Sequence, residues 1–232
     1  MGGTWQRELA VTMRNPVSLA FTLLKAGEDP NQILVKLALR NALLGCENVL
    51  DIGCGASMTM RHLGVPHPVG AEGYPPSVEK ARANNTHDEL VLCNVSELSS
   101  RFQSGQFDAC VALDVIEHLR KPDGLRLMED MERIAKKRVI FFTPSGFLPQ
   151  GHTDSDDLQV HLSGWEPAEM EGFGYEVVGL LGPKKWRGEY HTLKKKPAAF
   201  WGLMSLAAQC TWSRRHPKDA AAILCVKKLS RT

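Results

Sequence analysis

Two glycines one residue apart, just after an acid near the end of an apolar run, prepare a backbone for a small ligand. Val49-Leu50-Asp51-Ile52-Gly53-Cys54-Gly55-Ala56-Ser57 has this form: a strand runs into a glycine turn and then a helix. Glycines at 53 and 55 let the chain turn tightly and a ligand approach without meeting a Cβ. A bound pyrophosphate would call for a small residue three positions beyond Gly55. Met58 stands there, and Asp51 is a poor neighbour for a pyrophosphate. The same acid suits a ligand that carries an ammonium group.

A second acid follows at a meaningful distance. Pro68-Val69-Gly70-Ala71-Glu72 ends an apolar run with a carboxylate 17 residues beyond Gly55, a spacing that suits an acceptor for both hydroxyls of a ribose. The third group is Phe107-Asp108-Ala109-Cys110-Val111-Ala112-Leu113-Asp114-Val115-Ile116-Glu117-His118-Leu119, where a buried strand ends at Asp114 and Glu117 and His118 follow on the next turn. Ligands of open α/β sheets bind beyond the carboxyl ends of the strands, so Asp51, Glu72 and Asp114 are expected to gather there.

The elements that must position these residues are legible as alternation. Apolar runs at Asn48–Ile52, Pro68–Ala71, Leu90–Cys93, Phe107–Leu113 and Arg138–Phe142 are separated by helical patterns at Ser57–Leu63, Pro76–Asn84 and Pro122–Ala135. Wholly apolar strands spaced by helices predict a mostly parallel sheet covered on both faces, a doubly wound, Rossmann-like α/β architecture. Tyr175–Leu181 and Ala221–Lys227 read as two further strands, with a helix opened by Pro197 and running to about Thr211 between them. Ahead of the sheet, Asn15-Pro16 and Asp29-Pro30 are helix-start signals, and the second helix stops at Gly45. The 232 residues predict one domain: a helical extension over 1–45, a ligand-binding core over 46–145, and a substrate loop, basic segment and strand pair over 146–232.

Taken together, VLDIGCG, the Glu72 strand and FDACVALDVIEHL resemble the class I S-adenosylmethionine-dependent methyltransferases, in particular the small-molecule subgroup that includes ubiquinone-biosynthesis enzymes. The resemblance spans about residues 45–145 closely and runs more loosely to 228. It implies a seven-stranded sheet with an antiparallel last strand and S-adenosyl-L-methionine as cofactor. Asp51, Gly53, Cys54 and Gly55 would hold the methionine part, with Leu113 and Asp114 facing the same cleft. Glu72 would hold the ribose. Tyr74, Asn94 and Val95 would lie at the adenine, with Asn94 standing where the family usually has an acid. Ser57 replaces a glycine common in the family.

Methyl transfer from a sulfonium is an in-line displacement, so alignment supplies most of the catalysis and a hydroxyl acceptor also needs a base. His118, His152 and His161 are the candidate bases. The segment from Thr143 to Asp157 is long, polar and rich in glycine and proline, the composition of a lid or binding loop. Asp154, Asp156 and Asp157 join His152 and His161 as potential ligands of a hard cation, but crowded loop acids are more often solvated, and no metal is expected. His161-Leu162-Ser163-Gly164-Trp165-Glu166-Pro167 reads as a helix start capped near Ser163 or Gly164. His161 and Trp165 either wall a substrate pocket or pack the loop.

Charge is divided along the chain. Residues 184–232 carry 12 Lys or Arg against 2 acids, and the first 183 carry 16 against 24. For residues 184–215 the first expectation is a helix buried on the sheet, the second contact with an anionic membrane surface, and the third nucleic acid. The expected partner is a small-molecule or lipid-linked methyl acceptor. An RNA methyltransferase and a non-catalytic binding protein of the same fold are the alternatives. Six cysteines without paired spacing read as buried reduced thiols. With no apolar leader at the N-terminus and no run of about 20 apolar residues, the expected setting is the cytoplasm, peripheral at the membrane if the basic segment binds lipid.

Overall fold

The computed structural model describes residues 30–149, 160–188 and 192–230. The helix expected after Asn15-Pro16 lies outside these residues, as do His152 and the acids of its loop. Chain order is α1 (Pro30–Ala42), β1 (Asn48–Ile52), α2 (Thr59–Leu63), β2 (His67–Glu72), α3 (Pro75–Ala83), β3 (Glu89–Leu92), α4 (Leu98–Arg101), β4 (Phe107–Leu113), α5 (Lys121–Ile134), β5 (Ala135–Pro144), α6 (Pro167–Gly172), β6 (Glu176–Pro183), α7 (Ala198–Thr211) and β7 (Ala220–Lys228).

The seven strands form one sheet in the order β3-β2-β1-β4-β5-β7-β6. Strands β1 to β5 pair in parallel, and β7 runs antiparallel to both β5 and β6. Alternate residues of the central strands feed two cores. Leu50, Ile52, Cys110, Ala112 and Phe141 pack with Leu127, Met131 and Ile134 of α5. Val49, Ala109, Val111, Ile140 and Phe142 pack with Val35 and Leu39 of α1 and Met60 and Leu63 of α2. Each buried Val, Leu, Ile, Met or Phe among them contributes about 1.5–3 kcal/mol by leaving water. Because β1 pairs β2 on one side and β4 on the other, the chain reverses its winding there, and the crevice at that reversal opens beyond Ile52 and Leu113.

Two expectations change. The segment after His161 does not start a helix at Ser163: α6 begins at Pro167 with Glu166 at its cap. The Ser163 hydroxyl instead donates to the Ile116 carbonyl at 3.2 Å. Trp165 walls no pocket. It is 0% exposed, it donates from Nε1 to the same carbonyl, and it fills the core under α5.

Helix α7 has an unusual orientation. Ser205 and Gln209, one turn apart on one face, are buried, whereas Phe200, Leu203 and Met204 are exposed. The cause lies in β6, whose register shifts between Leu180 and Pro183 and where Leu181 adopts φ +63°. That bulge frees backbone groups. Gln209 Oε1 accepts from the Leu181 N–H at 2.9 Å, and the Ser205 hydroxyl donates to the Leu181 carbonyl at 3.1 Å. Buried Arg187 donates to the same carbonyl and to Ser205 Oγ.

Candidate active site

The glycine turn is built as its sequence requires. Gly53 and Gly55 have φ of +63° and +51°, values that side chains with a Cβ rarely adopt. A Cβ on Gly53 would also meet Val115 Cγ2 at 2.5 Å. The Gly53 N–H donates to the Ala71 carbonyl at 2.8 Å, so the turn is fastened to the end of β2.

Glu72 clasps this turn from the tip of β2. Its Oε2 accepts from the Gly55 N–H at 2.8 Å and its Oε1 from the Tyr74 N–H at 2.9 Å. Each carboxylate oxygen has two lone pairs, so both oxygens retain capacity toward a ligand. Tyr74 is half-buried at the cap of α3. Asn94 opens the turn after β3, and Val95 follows it. The Asn94 side-chain oxygen already accepts from the Ser96 N–H and hydroxyl, both at 3.1 Å. It serves as a cap, which competes with the adenine contact expected of it.

On the other side of the turn, Asp51, Gly53, Cys54, Leu113 and Asp114 line one cavity of about 240 Å³ together with Ser57, Thr59 and side chains of α1. Asp51 is buried, and its Oδ2 lies 3.2 Å from His87 Nε2, with His87 Nδ1 on the Thr86 hydroxyl at 2.8 Å. Burial raises the Asp51 carboxyl above its ordinary pKa, while the His87 contact opposes that shift. Cys54 contributes backbone: its thiol is buried beneath the turn, where a Cβ on Gly70 would meet Sγ at 2.7 Å. A larger cavity of about 610 Å³ between α1, α7, β6 and β7 is lined by none of the expected site residues.

Beyond β4 the structure brings His118 and His161 together, with ring centroids 4.8 Å apart. The Leu162 and Ser163 N–H groups donate to the Glu117 carbonyl at 2.8 and 3.0 Å, which stitches this segment to the turn after β4. Asp114, at φ +53°, lies beside Glu117. Burial, then the Asp114 charge, holds the Glu117 carboxyl well above the ordinary value, and burial pulls His118 below its own. Thr143 at the end of β5 donates to Glu117 Oε2 at 3.0 Å.

Glu117, Thr143 and His87 were not among the site residues expected from sequence. Glu117 carried a signal, an acid set in an apolar run between Asp114 and His118. His87 and Thr143 carried none, because their partners are distant along the chain.

Residues 50–143 match the family model described as a methyltransferase domain. No curated protein shows significant similarity to the chain. Among solved structures, a SAM dependent methyltransferase from Archaeoglobus fulgidus is 15% identical, with 84% of this chain and 93% of that one covered and a TM-score of 0.54. The N-methyltransferase NodS from Bradyrhizobium japonicum is 14% identical over 88% of this chain and 99% of its own, with a TM-score of 0.53. The plantazolicin methyltransferase BpumL, solved in complex with SAH, is 12% identical over 98% and 91%, with a TM-score of 0.51. At these identities the likeness is one of fold.

Proposed function

We propose, from a chain whose residues 50–143 match a methyltransferase domain, that this protein is an S-adenosylmethionine-dependent methyltransferase acting on a small-molecule or lipid-linked acceptor. The observation that carries this reading is the clasp between Glu72 and the Gly53–Gly55 turn at the sheet's winding reversal. The residues fit the cofactor. Glu72 has lone pairs left for the two ribose hydroxyls, and the open backbone at Gly55 admits a ligand with no Cβ in the way. Asp51, braced by His87, offers an anionic group to the cofactor's ammonium, with Leu113 and Asp114 in the same lining. Tyr74 and Val95 flank the adenine side. When bound, S-adenosylmethionine supplies a methyl group activated by its sulfonium.

The chain's own work is then alignment and proton handling. Burial favours the neutral ring of His118, the form able to accept a proton from an acceptor group. His161 packs edge-on against that ring and limits its motion.

Isothermal titration with S-adenosylmethionine and S-adenosylhomocysteine tests the reading. Saturable binding is expected, abolished by Gly53→Arg and weakened roughly tenfold or more by Glu72→Ala through loss of charge-assisted hydrogen bonds. Absence of binding by either ligand to the wild type would overturn it.

A lipid-linked acceptor is favoured over RNA by two observations. Phe200, Leu203, Met204 and Trp212 are exposed between Lys194–Lys196 and Arg214–Arg215, the combination that seats at an anionic membrane surface. In contrast, the cations and aromatics of the basic segment partly satisfy one another: Lys195 sits 4.2 Å over the Trp201 ring, Trp201 packs on Trp186, and Arg187 is buried. Among the described residues no helix is long and apolar enough to cross a membrane. Co-sedimentation with phosphatidylglycerol vesicles, lost in Leu203→Asp, is expected; salt-sensitive RNA binding without vesicle binding would reverse the preference.

A further inference from the structure

Among the described residues one group of side chains has the composition of a metal site: Glu117, His118 and His161 each offer a donor atom within 4.8 Å of the others. Their hydrogen bonds separate this group from a chance meeting. His118 Nδ1 lies 3.2 Å from the Val160 carbonyl, and His161 Nδ1 lies 2.7 Å from the Leu148 carbonyl. A carbonyl only accepts, so in both rings Nδ1 carries the hydrogen and Nε2 is left with its lone pair. Orienting a ligating imidazole through the opposite nitrogen is the usual arrangement around protein-bound metals.

Glu117 supplies the second, independent sign. It is 2% exposed, and while Oε2 is held by Thr143, buried Oε1 receives no hydrogen bond from a standing donor; the neighbouring Asp114 carboxyl can pair with Glu117 only by sharing a proton. An orphaned carboxylate oxygen in the interior is unfavourable, and a cation removes that cost. The Asp114 carboxyl beside it adds negative charge.

From this geometry we infer that Glu117, His118 and His161 form a binding site for one divalent first-row transition cation. Two neutral imidazoles and one carboxylate suit Zn²⁺, Fe²⁺ or Mn²⁺ better than Mg²⁺ or Ca²⁺, which prefer oxygen ligands throughout. Donors about 2.1 Å from a tetrahedral ion lie about 3.4 Å apart, so from separations within 4.8 Å the most widely spaced pair closes by up to about 1.4 Å on binding. Three protein ligands leave coordination positions open. Because Asp114 lines the cofactor cleft, an open position there would take an oxygen of the methyl acceptor, and with the ion in place the metal would replace His118, whose lone pair it engages, in easing loss of that oxygen's proton. That last role rests on the proposed methyltransferase activity; the ion site does not.

The test uses the full chain, stripped with a chelator and titrated with Zn²⁺ by calorimetry and with Co²⁺ by visible absorption. One ion per chain is expected, with Mg²⁺ binding far more weakly. Glu117→Gln and His161→Gln should each weaken Zn²⁺ binding by roughly 100-fold; His161→Gln decides alone if Glu117→Gln does not fold. Wild-type protein that takes up no Zn²⁺ at micromolar concentrations, or unchanged affinity in the folded variants, overturns the site. The same stripped protein is titrated with S-adenosylhomocysteine. If the protein binds that ligand but takes up no Zn²⁺, the metal site fails and the cofactor reading stands; if it takes up Zn²⁺ but binds neither S-adenosylhomocysteine nor S-adenosylmethionine, the reverse holds.

Discussion

Asp108 shows how a single side chain couples distant segments. Its Oδ2 accepts from the Glu47 N–H at 2.9 Å and its Oδ1 lies 3.1 Å from Lys137 Nζ, so one carboxylate ties the entry to β1 to both β4 and β5. Burial pushes the carboxyl up, but the Glu47 hydrogen bond and Lys137 more than offset it, and its pKa falls below the ordinary value. A folded-state pKa below the unfolded one gives stability that is fully present above the unfolded value, near 4, and is lost as pH falls through the folded value. Asp108→Asn should therefore be less stable than wild type at pH 7, with the gap narrowing as pH falls below the ordinary carboxylate value near 4. Thermal melts across that range check this. At the same scale, legibility in the sequence depended on distance along the chain. Glu72 could be read because its relation to Gly55 is a spacing. The capping of Ser96 by Asn94 was obscured by an expected ligand role, and the pairing of Glu117 Oε2 with Thr143 belongs to no local pattern.

Elements were readable where burial is uniform. β1 and β4 run the full lengths expected of them because both faces are covered and most positions carry buried apolar residues. The stretch from His161 to Glu166 was misread because Ser163 and Gly164 look like a cap, whereas their contacts are tertiary: a Cβ on Gly164 would strike Phe147 backbone at 2.4 Å. The better signal was Pro167 at the first turn of α6. Packing also overrides propensity in α5. Replacing Gly124 by Ala should favour the helix by up to about 1 kcal/mol, yet the added Cβ would lie 2.4 Å from Trp165 Cζ2. Trp165 is fully enclosed and has Lys121 Nζ 3.6 Å over its ring, so it has little room to yield. Gly124→Ala is expected to lose a net 1–3 kcal/mol, roughly the cost of overpacking, as urea denaturation would show.

Over the whole molecule, five of the six cysteines are buried and all six are free thiols, as their spacing suggested. Burial raises Cys54 and Cys225 far above the ordinary thiol value, and Cys46 and Cys93 also shift upward. In the native protein a maleimide reagent should label Cys210 quickly and the others only after unfolding; mass spectrometry of the peptides reads this directly. Cys210 lies on α7, beside the exposed Phe200–Met204 row, and so reports on anything that covers the helix. That row cannot simply be turned inward. Rotating α7 by half a turn to hide Leu203, now 65% exposed, would strand the Leu181 amide that Gln209 satisfies and take Ser205 away from the Leu181 carbonyl and from buried Arg187. The kink in one strand thus obliges the protein to wear grease on its outside. Its colloidal behaviour follows: retention on phenyl resin and clumping on concentration should ease when mild detergent coats that helix.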